Sequence, residues 1–254
     1  MRKINKLLVV ALAVVLVVGM TGFVFADDYD NEAWIKQDNV DTNNTLEATI
    51  NQIGNSNTAG INQQSNGDLN VSTISQDGDS NTANISVNIG GAPSYGTRSS
   101  ITQINDNNNA SINQFARNTY SLIYQEANPE GEGNEAHIYH KNGGSSFGMH
   151  DETMTSIRQI GSDNVANMHH DTTGNTDSYI NQNGNNNTAS TTLTDWWVGS
   201  GAARINQTGD GNTATQRIDY EGVAERDKEF YAYICQNNED AFGSYTATHS
   251  PYGA

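Results

Sequence analysis

The stretch Ile50-Asn51-Gln52-Ile53-Gly54-Asn55-Ser56-Asn57-Thr58-Ala59 decides the fold, because near copies of it recur along the chain. The copies share the pattern Ile-x-Gln-x-Gly-x-x-Asn-x-Ala, which returns at residues 74–83, 101–110, 157–166, 180–189 and 205–214. A repeat of this length is typical of a solenoid, in which each unit buries its face only against its neighbours.

Some copies depart from the pattern. Asn105 stands at the glycine position of one copy, and asparagine tolerates left-handed backbone better than most residues. Another copy fits if four residues are inserted after Gln125, which brings Gly131 to the glycine position. The last copy keeps only Ile234-x-Gln236, and Ile35-x-Gln37 resembles a degenerate copy at the front.

The repeated positions fall on alternate residues, which is the period of a β-strand. Each copy therefore predicts a strand, a tight arc and a second strand, and we call this unit a rung. Glycine gives the arc its permissive backbone. The sequence predicts an all-β protein, a β-solenoid of about seven or eight rungs. The expected arc glycines are Gly54, Gly78, Gly161, Gly184 and Gly209.

Stacking the rungs about 4.8 Å apart places each isoleucine over an isoleucine and each glutamine over a glutamine. Buried amides are costly unless they are paired, and a stacked column pairs each amide with its neighbours. The predicted inward positions are Ile50, Gln52, Asn57, Ala59, Ile61, Ile74, Gln76, Asn81, Ala83, Ile101, Gln103, Asn108, Ala110, Ile123, Gln125, Asn134, Ala136, Ile157, Gln159, Asn164, Ala166, Ile180, Gln182, Asn187, Ala189, Ile205, Gln207, Asn212, Ala214, Ile234 and Gln236.

The composition of the 254-residue chain agrees with a core of this kind. Only 35% of the residues are apolar, whereas 35 are asparagine and 13 are glutamine. One cysteine cannot form a disulfide within its own chain. A formal charge of −17 argues against nucleic-acid binding through phosphates, because the polyanion would repel the protein.

The N-terminus has the features of a secretory signal peptide. Three basic residues precede an apolar run at residues 7–18, and Val24-Phe25-Ala26 offers a cleavage site. Cleavage after Ala26 would leave nine basic residues against 29 acidic ones, a formal charge of −20. We predict a signal peptide at 1–26, an acidic leader at 27–47 and the solenoid at 48–254, with no membrane association after cleavage.

The pattern Gln-x-Gly-x-x-Asn-x-Ala, followed by a glutamine four residues later in the copies that end at Gln63 and Gln114, resembles the curlin repeat of bacterial curli fibre subunits. The resemblance covers roughly residues 46–247. It implies a secreted functional amyloid that polymerises outside the cell into biofilm-matrix fibres. As partners it implies further copies of the chain, a nucleator subunit and an outer-membrane export channel. In other copies the trailing glutamine is replaced, by Val87, His140, His170, Leu193 and Ile218.

The end rungs of a solenoid expose unpaired strand edges, which ordinary proteins cap or charge. No cap is evident in the sequence, so we expect the ends to join head to tail into a filament that serves adhesion. The alternative is a non-polymerising surface adhesin that displays its inter-rung loops to a carbohydrate or a host ligand. Catalytic motifs are absent, so neither an enzyme nor a cofactor is expected.

Other polar and aromatic residues give weaker signals. Aspartates recur near the arcs, but the signature of calcium-binding solenoids is missing, so solvated turns are expected and calcium binding stays open. Trp196-Trp197 lies between rungs, as a binding platform or as a loop pair folded onto the solenoid. Cys235 falls on an outward position. Strand geometry separates the histidines, so they do not predict a metal site: His137, His140, His150, His169 and His170.

Overall fold

The computed structural model describes residues 20–26, 30–39, 45–65, 69–89, 96–115, 119–140, 153–171, 176–194, 201–220, 230–237 and 242–249. Within these ranges the chain is all-β and forms no helix. The strands are β1 Met20–Ala26, β2 Glu32–Asn39, β3 Leu46–Ile53, β4 Thr58–Ser65, β5 Asn70–Asp77, β6 Thr82–Ile89, β7 Thr97–Ile104, β8 Asn109–Gln114, β9 Thr119–Glu126, β10 Glu135–His140, β11 Thr153–Ile160, β12 Val165–Asp171, β13 Thr176–Asn183, β14 Thr188–Thr194, β15 Gly201–Thr208, β16 Thr213–Tyr220, β17 Phe230–Gln236 and β18 Phe242–His249.

The strands form two nine-stranded parallel sheets. The first sheet contains the odd-numbered strands in chain order, and the second contains the even-numbered strands. Each rung sends one strand to each sheet, and β3 to β18 make eight rungs. The predicted all-β solenoid is confirmed, and β1 and β2 form a further pair at the front.

The register of the sheets follows the sequence repeat. In the first sheet Ile50 pairs with Ile74 and Gln52 with Gln76, so like residues of successive rungs lie side by side. Inward and outward residues alternate, as in β5, where Ile74 and Gln76 are both buried. A one-residue slip would turn this apolar set outward, and the alternation therefore fixes the register.

The core is a thin layer between the two sheets. Isoleucines fill a column in the first sheet. A shorter column of isoleucines lies in the second sheet and begins with Ile61 and Ile85. That second column passes to Met168 and then to the polar residues Thr191 and Gln216, which are also buried. The apolar content of the core therefore falls toward the C-terminal rungs.

Part of the predicted leader at residues 27–47 forms a strand of the solenoid. Strand β2 lies within residues 27–47 and pairs with β4, where Ile35 faces Ile61 and Gln37 faces Gln63. Ile35-x-Gln37 therefore matches the second half of the repeat, whereas the spacing alone had suggested the first half.

Strand β1 occupies the last seven residues of the segment predicted to be a signal peptide. It pairs in parallel with β3, with Ala26 opposite Gln52. Cleavage after Ala26 stays a prediction, and it would remove this strand and open the edge of β3. Among the described residues, no helix is long and apolar enough to cross a membrane.

The structure bears differently on the two arcs that depart from the repeat, the one with Asn105 and the one with the insertion after Gln125. Asn105 has a φ of 63°, so it takes the left-handed role expected of it. In the rung with the insertion, however, Ala127 follows the strand at the position of the arc glycines. Its N–H donates to Ile104 O, as the Gly161 N–H donates to Glu126 O in the next rung. Gly131 therefore belongs to the insertion, and its assignment to the glycine position was wrong.

Candidate functional site

A continuous ladder of glutamine amides runs through the first sheet. Each Nε2 donates to the Oε1 of the next rung, from Gln52 to Gln236, over 2.8–2.9 Å. All the glutamines of this column are buried. Because every donor points toward the C-terminal rung, the ladder has a direction, with an acceptor at its front.

The same glutamines also join the two sheets. Besides its ladder bond, each Nε2 donates to the carbonyl oxygen at the start of a second-sheet strand, as Gln103 does to Thr82 O at 2.9 Å and Gln207 to Thr188 O at 3.0 Å. Using both N–H bonds of the amide satisfies a buried donor that would otherwise cost free energy. The glutamines therefore stabilise the stack along two directions.

The arc asparagines form a second column with the opposite direction. The backbone N–H of each one donates to the Oδ1 of the preceding rung, as Asn187 does to Asn164 at 3.1 Å and Asn212 does to Asn187 at 3.0 Å. Their Nδ2 groups bind the same oxygens at 3.0 Å and 2.8 Å. The backbone N–H of the asparagine that precedes the second strand of each rung therefore has a hydrogen-bond partner.

The structure places all the predicted inward residues inside the solenoid, with Ile234 the most accessible at 8%. Each predicted arc glycine has a positive φ, between 98° at Gly209 and 136° at Gly78. A Cβ on Gly184 would lie 2.1 Å from Gly209 O, so the next rung leaves no room for a side chain. The arcs therefore need glycine for conformation and for clearance.

Small residues near the start of the first-sheet strands make hydrogen bonds that we did not predict from the sequence. The trailing glutamine of the repeat crosses the core to them, with Gln63 Nε2 donating to Ser72 Oγ at 2.6 Å. Gln114 Nε2 donates in the same way to Ser121 Oγ, and Gln114 Oε1 accepts a hydrogen bond from Ser99 Oγ at 2.6 Å. The repeated serine was a signal for this bond, because a buried glutamine needs a partner.

The front end of the glutamine ladder is incomplete. Gln52 is fully buried, and its Oε1 has no hydrogen-bond partner among the residues that the structure describes. Strand β1 covers the backbone of β3, but the residue opposite Gln52 is Ala26, which has no side-chain amide to continue the ladder. A buried acceptor without a donor is unfavourable. This atom is therefore a site that a donor amide from another rung would complete.

The outer face of the first sheet is rich in aromatic and apolar side chains. Tyr120, Met154 and Tyr233 are 49%, 60% and 59% exposed. Arg158 lies over the ring of Tyr124, with its Cζ 5.8 Å from the centroid. Burial and a hydrogen bond to the Glu126 carboxylate raise the pKa of Tyr124. A hydrogen bond with Cys235 raises the pKa of Tyr233.

The structure places the other candidate residues on the surface where it describes them. Asp79 and Asp210 accept arc N–H groups through Oδ1 at 2.6 Å, and His137 contacts Ser111 Oγ at 2.7 Å. In the part of the chain that the structure describes, no group of three histidine, cysteine, aspartate or glutamate residues could hold a metal ion. Cys235 is exposed. Trp196-Trp197, His150 and the side chains of His140 and His170 lie outside the described residues.

No protein-family model matches the chain, and no curated protein or solved structure matches it. The likeness to curlin repeats therefore depends on the repeated positions alone.

Proposed function

We propose that the protein is a secreted structural subunit whose rungs stack head to tail into extracellular, curli-like amyloid fibres. In this role it serves adhesion and surface attachment in a biofilm matrix. The observation that carries the proposal is the unsatisfied Gln52 Oε1 at the front of an otherwise continuous amide ladder.

The direction of the ladder supports one mode of joining. Every ladder donor points toward the C-terminal end, and the front presents an acceptor. A front end meeting another front end would place acceptor against acceptor. A front end meeting the last rung of another copy keeps the donor direction of the ladder and the parallel order of the strands. This heterologous contact does not close on itself, so it generates a filament.

The proposal gives the predicted cleavage after Ala26 a physical role. While β1 is present, the backbone groups of β3 that face it are paired. Removing residues 1–26 would leave the β3 edge unpaired beside the Gln52 acceptor. An open edge of this kind is a template for another strand. Cleavage would therefore convert a covered front into a growing end.

The test is controlled removal of β1 from the folded protein. A site for a specific protease is placed between Ala26 and Asp27, and growth from preformed seeds is followed with an amyloid dye before and after cutting. We expect cutting to shorten the lag and seeds to abolish it. A chain of the same design that carries Gln52→Met should elongate about two- to tenfold more slowly, which corresponds to the one hydrogen bond lost between copies. The variant also loses the Nε2 bonds to Gln76 and Glu32 within the copy, so rates are compared at equal concentrations of folded protein. Gln64→Met, at an exposed position of β4, is the matched control.

A cut protein that stays monomeric at high concentration would contradict the proposal. If that monomer bound a glycan or a host ligand saturably, the adhesin alternative would replace it.

A further inference from the structure

The outer face of the first sheet differs from that of the second. Its outward residues form three columns, at the second, fourth and sixth positions of the strands β3 to β17. The columns carry Tyr120, Leu122, Met154 and Tyr233, which are 44–60% exposed. The matching face of the second sheet is more polar, with Asn84, Ser111, Asn167 and Ser190 in one column, although Trp34 lies exposed at its front. Large apolar side chains gathered on one exposed face mark an interaction surface.

We propose that this face binds the same face of a second copy of the chain, with the rungs of the two copies running in opposite directions. The contact is lateral and does not involve the end rungs. It goes beyond head-to-tail stacking and is independent of it.

A two-fold axis that lies in the interface, parallel to the strands and midway between β9 and β11, produces this arrangement. The rotation keeps the strand direction, places each column over itself and reverses the order of the rungs. Strand β7 then faces β13, and β5 faces β15. Because β9 and β11 are the middle pair of the eight strands from β3 to β17, all eight strands overlap.

The charges of the face are complementary in this arrangement. Arg98 on β7 faces Asp177 on β13 of the second copy, and the symmetry forms this pair twice. Both side chains are exposed, and neither has an ion pair among the described residues. Within one copy they lie three strand spacings apart, about 14 Å, and do not reach each other. A face-to-face pairing that kept the rung order would reverse the strand direction, so Arg98 would face Thr102 on the sixth position of β7 and would gain no ion pair.

The overall charge on the three columns also favours self-association. Their described charged residues are Arg98, Arg158 and Arg204 against Glu47 and Asp177. The whole chain has a formal charge of −17. This face is therefore one where two acidic molecules approach without strong repulsion.

Side-chain sizes are complementary near the centre of the face. Leu122 on β9 faces Ser156 on β11 of the second copy, so a large side chain meets a small one. In the neighbouring column Tyr120 faces Met154, a sulfur–aromatic contact of a favourable kind.

The same relation holds one strand further out. Tyr179 on β13 faces Ser100 on β7, again a large residue against a small one. In the third column Tyr124 faces Arg158 of the second copy, which repeats between the molecules the cation–π contact found within each.

The contact area is sufficient for a specific pair. Eight strands spaced about 4.8 Å apart give a face about 38 Å long, and a strand face about 20 Å wide gives roughly 760 Å² per copy. A standard protein interface buries about 800 Å² per partner.

A charge swap tests the pairing. In the full chain, Arg98→Asp and Asp177→Arg should each weaken lateral dimerisation at least about tenfold, because like charges then meet. The double variant carrying both changes should return to within about threefold of the parent, since opposite charges meet again. Sedimentation velocity measures the dimer fraction. Lys36→Asp, which makes the same charge change on the outer face of the second sheet, should leave the dimer intact.

Thiol cross-linking tests the rung order. With Cys235 replaced by serine, one sample carries Ser100→Cys and the other Tyr179→Cys. A short bis-maleimide should link the two only in the mixture, because two Ser100 positions lie about 17 Å apart in the antiparallel pair, from three strand spacings and a sheet separation of about 10 Å. Links within the Ser100→Cys sample alone would show a parallel pair and would overturn the proposal.

The remaining outcomes are also decisive. A double variant that dimerises as weakly as the single variants would overturn the pairing. A parent chain that stays monomeric and binds a soluble β-linked glycan, with the binding lost in Tyr233→Ala, would also overturn it. A chain that elongates from seeds as fibres one solenoid wide would refute the pairing alone. A chain that pairs laterally but never elongates would refute head-to-tail stacking alone.

Discussion

At the scale of the residue, Gln216 marks the place where the apolar column of the second sheet ends. It is fully buried, and in the described part of the chain neither its Nε2 nor its Oε1 has a hydrogen-bond partner. Restoring the repeat with Gln216→Ile should stabilise the protein by about 1–3 kcal/mol, because an unsatisfied buried amide is replaced by an apolar group. Denaturant unfolding measures the change in midpoint.

The matched control is Thr215→Ile, at the adjacent exposed position of β16. It adds the same side chain without burying it and should alter stability by no more than about 0.5 kcal/mol. A Gln216→Ile protein that unfolds more easily than the parent would mean that its amide has a role that the repeat does not explain.

At the scale of the element, each arc depends on its glycine. Gly184 has a φ of 133°, and an added Cβ would meet the backbone of Gly209 at 2.1 Å. We expect Gly184→Ala to cost at least about 2 kcal/mol, because a strained φ alone costs about 1–3 kcal/mol and the next rung must also move. Asn183→Ala, at the exposed end of the same strand, should cost about 0.5 kcal/mol or less. Equal midpoints in denaturant for the two variants would contradict this account of the arc.

The arcs and strands were also the part of the fold that the sequence could predict. Alternation fixed which side chains face inward, and the glycine spacing fixed the turns, since both are local properties of the chain. The partner of Gln63 was not predictable in this way, because Ser72 reaches it across the core from another strand. The place of Ile35 was also ambiguous, since both halves of the repeat contain Ile-x-Gln. Pairing between sheets therefore needed the three-dimensional structure.

At the scale of the whole molecule, stacking brings together chains of the same charge. The formal charge is −17, and cleavage after Ala26 would leave nine basic and 29 acidic residues, or −20. Repulsion between such molecules is long-ranged at low salt and is screened within about 10 Å at 0.1 M. Carboxylate protonation lowers the same repulsion as the pH falls toward the isoelectric point near 4.4. The charge therefore acts mainly on the rate at which copies meet.

We accordingly expect seeded elongation to accelerate from low salt to about 0.15 M salt, where the screening length is about 8 Å, and from pH 7 toward pH 5. NaCl and KCl should act alike at equal ionic strength, because screening does not depend on which cation is present. The isosteric double variant Glu130→Gln, Glu132→Gln removes two exposed charges from the arc between β9 and β10, which carries the insertion. It should elongate faster than the parent at low salt and at the same rate at high salt. Dye-monitored growth from identical seeds measures both effects, and a rate unaffected by salt, pH and this variant would remove electrostatic repulsion as the control on assembly.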